Sequence, residues 1–186
     1  MKITETDLSR VFIIEPTVYG DDRGWFMETY SDSKFKEVGL DLNFLQDNHS
    51  FSATKGTLRG LHYQMNPKAQ TKLVRCTKGA IYDFAVDIRI GSPTYARWFG
   101  IELTEENKKQ LLVPKGFAHG FITLTSDSEV QYKVDELYAP ECDRGIIWND
   151  SEIGIEWPAD LTPILSSKDE VAPSLEKAEN NFNYGK

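Results

Sequence analysis

Short runs of apolar, β-branched and aromatic residues recur along nearly the whole chain, and they restrict it to a β fold. Gly, Pro, Asn, Asp or Ser separates each run from the next, which is typical of short antiparallel strands joined by turns. A sandwich or barrel closes such strands around one apolar interior. We therefore predict an all-β, jelly-roll or closed-barrel fold, with strands near residues 11–14, 25–30, 72–76, 80–87, 98–103, 110–113, 119–124 and 129–134.

Helical signals are few and short. A helix is predicted over residues 31–38, with Ser31 or Asp32 as its N-cap and Gly39 directly after its end. The polar tail after Ser166 predicts one more short helix. At 186 residues, with no repeat or linker, the chain is expected to form a single domain over residues 1–186 that buries roughly two thirds of its unfolded surface.

Composition argues against several classes of partner. The net charge of -8 and the pI of about 4.9 disfavour nucleic acid, because non-specific binding to phosphates depends on a surplus of Lys and Arg. No apolar run approaches the roughly 18 residues of a membrane span, and the polar N-terminus has no signal core. Cys76 and Cys142 match no metal or disulfide spacing, which favours a reducing cytoplasm.

Residues 56–64 place an arginine and a histidine in an apolar β segment, and a lysine follows at position 72. Arg59, His62 and Lys72 are interpreted as a site for an anion and a proton transfer. Strict alternation puts Arg59 and His62 on opposite faces of a strand, so they share a pocket only if the strand bulges. Gly60 is where a bulge costs least. The alternative is that His62 is a core histidine and Arg59 a surface residue.

Pro114, Gly116 and His119 have the P-x-G-x-x-H spacing of the second cupin motif, in which a turn delivers a histidine to the mouth of a small barrel. Metal-binding cupins add a His-x-His pair, but the residue two after His62 is Gln64. A metal needs three or more suitable ligands, so no metal is expected. The alternative is a metal site made of two histidines and one carboxylate.

Two further segments carry polar residues within strand-like patterns. Residues 22–28 alternate between two faces, and residues 46–49 are polar between apolar neighbours. Polar residues buried in a strand need partners, and a ligand is one such partner. An ordinary edge strand and a solvent-exposed strand face explain the same patterns.

Together these motifs resemble the dTDP-4-dehydrorhamnose 3,5-epimerase family. They occur in that family's order from about residue 10 to residue 170, and eight motifs in order are far more specific than any one alone. The matching segments are DRGWFME (22–28), QDNHS (46–50), LRGLHYQ (58–64), KLVR (72–75), PKGFAHGF (114–121), YK (132–133), GIIWND (145–150) and SKD (167–169).

The resemblance implies a cupin-type jelly roll that uses no metal or other cofactor. It also implies a homodimer in which N-terminal strand residues of one subunit complete the partner's pocket. The implied substrate is dTDP-4-dehydro-6-deoxy-D-glucose, which is epimerised at carbons 3 and 5 to dTDP-4-dehydro-L-rhamnose on the way to dTDP-L-rhamnose.

The resemblance further implies a role for individual residues. His62 would be the base, with Asp169 holding its ring, Lys72 would stabilise the enolate, and Tyr132 would donate a proton on the other face. Phe26 and Tyr138 would stack on thymine, with core packing as the alternative for Phe26. Asp143 stands where glutamate is commoner, which leaves its ligand contact open. The implied substrate-binding residues are Arg23, Phe26, Glu28, Gln46, Asp47, Asn48, Arg59, Lys72, His119, Tyr138, Asp143 and Lys168.

These residue types suit inversion of a centre next to a ketone. A ketone α-proton is less acidic than imidazolium by on the order of a dozen pKa units, or about 16 kcal/mol at 1.36 kcal/mol per unit. A base alone does not bridge that gap, so preorganised positive charge must meet the enolate oxygen. A phenol suits the acid role because it is neutral and protonated at pH 7.

Three other functions are compatible with parts of the pattern. A single-carbon epimerase on a related dTDP-4-keto-6-deoxy sugar would use the same base and enolate clamp, and Tyr132 favours the double reaction. A sugar-nucleotide binding module without turnover would not need the set of His62, Lys72, Tyr132 and Asp169. A metal-dependent cupin oxygenase would require bound metal.

Overall fold

A computed structural model describes residues 1–185 and consists mainly of β-strands. It also has two short α-helices, α1 (Asp32–Glu37) and α2 (Ser167–Glu170), and a 3₁₀ helix at Leu175–Lys177. The strands are β1 (Lys2–Glu5), β2 (Phe12–Glu15), β3 (Val18–Asp21), β4 (Gly24–Met27), β5 (Gln46–Ser52), β6 (Leu58–Gln64), β7 (Lys72–Lys78), β8 (Ala80–Asp87), β9 (Trp98–Thr104), β10 (Gln110–Val113), β11 (Phe117–Thr123), β12 (Ser128–Val134) and β13 (Asp143–Gly145).

The strands form two antiparallel sheets and a separate hairpin. One sheet has the order β1-β2-β10-β7-β12-β5, and the other has the order β13-β6-β11-β8-β9. Strands β3 and β4 pair only with each other. The non-sequential order within both sheets is that of a jelly roll, so the predicted all-β fold is confirmed. None of the helices within residues 1–185 is long or apolar enough to cross a membrane.

The main core lies between the two sheets and follows from strand alternation. Val74 and Cys76 of β7, and Leu111 and Val113 of β10, face residues of the second sheet such as Ala85. Successive side chains of a strand point to opposite faces, so every second residue enters this core. Full burial of a Val, Leu or Phe side chain contributes roughly 1.5–3 kcal/mol, which makes these contacts the main source of stability.

The predicted helix near residues 31–38 is confirmed as α1. Ser31 is its extended N-cap, and Gly39 follows it with φ of +80°, a conformation that glycine adopts without steric cost. Phe35 is the buried residue of α1 and packs edge-on against Tyr30. The predicted helix in the tail is also confirmed, as the short α2, where the Ser166 hydroxyl accepts a hydrogen bond from the backbone N–H of Asp169.

Some strands begin or end at residues other than those predicted, and some strands were not predicted at all. Tertiary contacts or solvent exposure explain these differences. Strand β4 ends at Met27 rather than near residue 30, because the Tyr30 ring packs against the rings of Phe35 and Phe44 at 5.0 and 5.1 Å. Strands β1, β3 and β13 were not predicted. The residues of β3 are all exposed, and those of β1 nearly so, which leaves no apolar alternation to detect.

A bulge in β6 is the feature that positions the candidate site. Across the β6–β11 pairing, Arg59 lies opposite Phe121 and His62 opposite His119, so two residues of β6 face one residue of β11. The shift reverses the alternation between Arg59 and His62, and both line the same cavity. The predicted bulge at Gly60 is confirmed.

Replacement of Gly60 by alanine is expected to destabilise the protein by about 3 kcal/mol or more. Gly60 has φ of +133°, and a Cβ atom there would lie 2.6 Å from the Gly120 Cα and 2.9 Å from the His119 carbonyl oxygen. Gly24 is a matched control, because it has the same φ of +133° but no atom within 4 Å of the position that a Cβ would take. Urea unfolding of the Gly60→Ala and Gly24→Ala variants separates the clash from the backbone preference. Equal losses in the two variants would contradict the close-approach argument.

Candidate active site

A cavity of about 450 Å³ opens between the two sheets. Leu58, Phe121, Ile164 and Leu165 supply part of its wall, so the polar groups in it act in partly apolar surroundings. Strand β6 and strand β11 contribute one wall, strands β7 and β12 the opposite wall, and α2 closes one side. The polar residues that line it include Arg59, His62, Lys72, His119, Tyr132, Lys168 and Asp169.

His62 and Asp169 form a short carboxylate–imidazole pair at this cavity. The His62 Nε2 atom lies 2.6 Å from Asp169 Oδ1, and the Asp169 side chain is only 5% exposed. Burial raises the pKa of Asp169, but hydrogen bonds from His62, Ser166 and the Gly60 backbone outweigh it and hold that pKa below its usual value. An ionised Asp169 accepts the Nε2 proton and leaves Nδ1 of His62 to accept another.

Tyr132 faces His62 from the opposite sheet. It lies in β12, between Asn48 of β5 and Val74 of β7, and lines the same cavity. Burial raises the pKa of Tyr132 above its usual value, with Arg59 opposing this shift and Asp143 adding to it. The phenol therefore stays protonated at neutral pH and is available as a proton donor.

Lys72 begins β7, the strand that pairs with the strand of Tyr132, and its Nζ lies 3.5 Å from the His62 carbonyl oxygen. Burial lowers the pKa of Lys72 to about 8, while Asp143 and Asp83 act to raise it. The ammonium form therefore predominates at pH 7. A cation held in this partly apolar cavity interacts more strongly than it would in water with any negative charge that develops there.

A second carboxylate–imidazole pair joins His119 to Asp83. The His119 Nε2 atom lies 2.8 Å from Asp83 Oδ1, and both side chains are buried. Sequence reasoning singled out His119 but missed Asp83. The signal was present, because Asp83 is a charged residue inside the apolar run of β8, and such a residue needs a buried partner.

Arg59 is held at the rim of the cavity by two neighbours on β5. Its Nε donates to the Ser52 hydroxyl at 3.3 Å, and its Nη2 donates to the Phe51 carbonyl at 3.1 Å. These bonds use only part of the guanidinium's five donors. The remaining donors are free to bind an anion such as a phosphate.

A smaller cavity of about 190 Å³ adjoins the first and shares His62, Lys72, Tyr132 and Lys168 with it. Asp143 accepts a hydrogen bond from the Tyr138 hydroxyl at 3.3 Å and forms a short ion pair with Lys168. Most other groups here are neutral amides or hydroxyls, which suits an uncharged polar ligand group. The predicted binding residues in this cavity are Gln46, Asn48, Tyr138, Asp143 and Lys168.

Four predicted binding residues lie away from these two cavities. Arg23, Phe26 and Glu28 lie on or just after the β3–β4 hairpin, where Arg23 pairs with Asp21 at 2.6 Å. Glu28 is 2.7 Å from Lys34. Asp47 lies on the other face of β5, where it is paired with Lys133 at 2.9 Å. The fold of one subunit therefore does not bring these side chains to His62.

Each of the three histidines is hydrogen-bonded to a different carboxylate. Within residues 1–185, no group of three or more His, Cys, Asp or Glu side chains is arranged to hold a metal ion. His62 and His119 each pair with a separate carboxylate, and His49 lies on the outer face of its sheet beside Glu129.

The family model of dTDP-4-dehydrorhamnose 3,5-epimerase matches residues 5–177. This chain belongs to that family. A dTDP-4-dehydrorhamnose 3,5-epimerase from Sinorhizobium fredii is 48% identical over 186 residues, covering 100% of this chain and 95% of the relative. As a member of the dTDP-4-dehydrorhamnose 3,5-epimerase family with the cupin-like jelly roll, the chain is an enzyme of the isomerase class.

Solved structures of epimerases have the same fold. The dTDP-6-deoxy-D-glucose-3,5-epimerase of Legionella pneumophila, in complex with dTDP-4-keto-L-rhamnose, gives a TM-score of 0.91 at 44% identity over 95% of this chain and 93% of that one. A 3'-monoepimerase from Streptomyces bikiniensis, a His-to-Asn and Tyr-to-Phe double mutant in complex with dTDP, gives a TM-score of 0.88 at 33% identity. That match covers 92% of this chain and 86% of the monoepimerase.

Proposed function

We propose that this chain epimerises dTDP-4-dehydro-6-deoxy-D-glucose at carbons 3 and 5, giving dTDP-4-dehydro-L-rhamnose for dTDP-L-rhamnose biosynthesis. His62 is the base, Tyr132 the acid and Lys72 the enolate-stabilising cation. We further propose that residues 1–186 act as one domain in the cytoplasm, where the free thiols of Cys76 and Cys142 stay reduced.

The position of His62 and Tyr132 on opposite walls of one cavity carries the proposal. Epimerisation removes a proton from one face of a carbon and returns one to the other face. His62 lies in β6 and Tyr132 in β12, which belong to different sheets, so a sugar ring between the sheets has a proton acceptor on one side and a donor on the other.

The first step is abstraction of the proton α to the ketone. The C–H bond breaks, its electron pair forms the carbon–carbon double bond of the enolate, and the carbonyl π pair moves to oxygen. The proton goes to the free ring nitrogen of His62, and Asp169, 2.6 Å from the other nitrogen, stabilises the imidazolium. Lys72 supplies the positive charge that lowers the free energy of the negatively charged enolate oxygen.

The second step returns a proton from Tyr132 to the opposite face. The phenol O–H bond breaks, the enolate double bond takes the proton at carbon, and the ketone reforms. Arg59 lies close enough to lower the pKa of Tyr132, so it also stabilises the phenolate that results. Carbons 3 and 5 both flank the same ketone at carbon 4. One base, one acid and one cation can serve both centres, provided that His62 loses its proton to water and the Tyr132 phenolate takes one from water between the two inversions.

The charged nucleotide half of the substrate needs its own contacts. Arg59 and Lys168 offer positive charge to the diphosphate, and the amides of the smaller cavity offer partners to neutral polar groups. The Legionella relative binds dTDP-4-keto-L-rhamnose, which is the product proposed for this chain. Lys168 would exchange its Asp143 partner for a phosphate on binding.

The β3–β4 hairpin supports a homodimer with N-terminal strand exchange. Tyr19, Trp25 and Phe26 are 64%, 59% and 70% exposed, and a two-stranded hairpin without further packing is only marginally stable. Docking on a second subunit would bury these rings. It would also bring Arg23, Phe26 and Glu28 to the partner's cavity, which one subunit alone does not do.

A single-carbon epimerase is the second candidate, and one comparison favours keeping it. The mutated histidine and tyrosine of the Streptomyces monoepimerase have the same spacing as His62 and Tyr132. A histidine and a tyrosine at this spacing therefore do not select between the two reactions, so the expectation that Tyr132 favours the double reaction loses its support. The 3,5-reaction is preferred because the family matched over residues 5–177 is named for it.

Deuterium incorporation from heavy water tests the reaction. Incubation with dTDP-4-dehydro-6-deoxy-D-glucose is expected to place deuterium at both carbon 3 and carbon 5, because each inversion returns a solvent-derived proton. NMR of the recovered sugar nucleotide, with a protein-free control, measures each site. Deuterium at one carbon would establish the single-carbon reaction, and deuterium at neither would exclude catalysis on this substrate.

Mixed dimers test the strand exchange. His62→Ala and Arg23→Ala/Phe26→Ala subunits are each expected to be nearly inactive as homodimers. Random mixing makes half of the dimers mixed, and one of the two sites in each then has an intact His62 and an intact partner hairpin. About a quarter of wild-type activity is expected to return. If the hairpin serves its own subunit, the mixture stays inactive.

A further inference from the structure

Strand β8 carries two fully buried carboxylates, Asp83 and Asp87, that differ in the number of hydrogen bonds they accept. Asp87 is bonded by Arg89 through two nitrogens and by the hydroxyls of Ser92 and Thr94. Asp83 is bonded by His119 at Oδ1, while its Oδ2 has no hydrogen-bond partner. Within the described residues, only Asp83 Oδ2 and Ser50 Oγ are buried side-chain oxygens without a partner. The packing of β8 does not explain an unpaired carboxylate oxygen.

We propose that Asp83 is a positioning residue for the epimerisation, because its buried carboxylate orients the His119 ring and its negative charge favours the ammonium form of Lys72 beside the ketone oxygen. This inference rests on the proposed function. It adds to the proposed site one residue that lies behind the cavity wall. Asp83 is itself fully buried, so it acts through its neighbours and does not touch the substrate.

The contact with His119 carries the first part of the argument. An ionised Asp83 accepts the Nε2 proton, which fixes the ring and its tautomer. The His119 side chain makes no other hydrogen bond within residues 1–185, and it lines the cavity, so Nδ1 is left for a ligand. A ring held in this way presents Nδ1 to a polar group of the ligand at one fixed position.

The second effect proposed for Asp83 is on the charge of Lys72. Burial lowers its pKa to about 8, and the negative charges of Asp143 and Asp83 raise it while Lys168 lowers it. Titratable groups from several elements share the two cavities with Lys72. They are Arg59, His62 and Tyr63 of β6, His119 of β11, Tyr132 of β12, Tyr138, Asp143 of β13, and Lys168 and Asp169 of α2. Asp83 lies behind them, bonded to His119. Loss of the Asp83 charge would therefore reduce the fraction of Lys72 that is protonated at neutral pH.

The free-energy cost of burying the Asp83 carboxylate supports a functional role for it. A buried carboxylate with one unpaired oxygen opposes folding, because its desolvation is only partly compensated. An asparagine in the same place keeps the shape and the acceptor for His119 but carries no charge. A purely structural residue would lose stability on this change, whereas a charge retained for catalysis would not.

Asp83→Asn and Asp87→Asn are a matched pair of test variants on the same strand. We expect Asp83→Asn to lower kcat for deuterium incorporation about 100-fold, with KM within about threefold. Its urea midpoint is expected to stay the same or rise. We expect wild-type activity to fall as the pH rises through about 8, where Lys72 loses its proton. In Asp83→Asn this fall is expected at lower pH, because the pKa of Lys72 drops. Asp87→Asn is expected to lower the urea midpoint and to keep the wild-type pH profile.

Three results would overturn the inference. One is an Asp83→Asn variant with wild-type kcat and pH profile, and another is a loss of activity no larger than its loss of folded protein. The third is an unchanged Lys72 pKa, read from NMR titration of lysine side chains labelled with ¹³C. That titration needs no turnover, so it tests the role of Asp83 whether or not the wild-type protein incorporates deuterium. A wild-type protein that incorporates no deuterium would instead contradict the proposed function.

Discussion

The close approach of Gly60 and Gly120 across β6 and β11 is the constraint on which the candidate site depends. No other residue type fits at position 60, where a Cβ would meet the opposite backbone at 2.6 Å. The resulting bulge turns Arg59 and His62 toward one cavity and places His62 opposite His119. The Gly60 backbone also supports the Asp169 carboxylate. The backbone of one strand thus sets both the position of His62 and the environment of Asp169.

The interior of this sandwich holds more charge than an apolar core requires. Two carboxylate–imidazole pairs and one lysine lie between the sheets, and each costs desolvation energy that packing alone would avoid. The apolar clusters around them supply the stability that offsets this cost. In return the low-polarity cavity strengthens every charge interaction with a bound ketone, which is the physical basis of the proposed chemistry.

Much of this arrangement could be predicted from the residues alone. Alternation located the long buried strands, capping signals located α1, and the conflict between Arg59 and His62 required a bulge at Gly60. Alternation failed for β1, β3 and β13, because exposed or three-residue strands leave no periodic signal. The charge of Asp83 inside the apolar run of β8 indicates a buried partner, but no local pattern shows that this partner is His119. Arg23, Phe26 and Glu28 lie on or just after the exposed β3–β4 hairpin, away from the cavity. Their predicted role in binding depends on the proposed dimer, which alternation and spacing within one chain do not specify.

His62 is proposed to act as the base at both carbons, and the His62→Ala variant tests this role. In heavy water, this variant is expected to add deuterium at neither carbon 3 nor carbon 5 above the protein-free rate, while dTDP still binds. His49→Ala is the matched control, since His49 is half-exposed on the outer sheet face beside Glu129, and it is expected to exchange both carbons at the wild-type rate. Exchange at the wild-type rate at either carbon in His62→Ala would contradict the account.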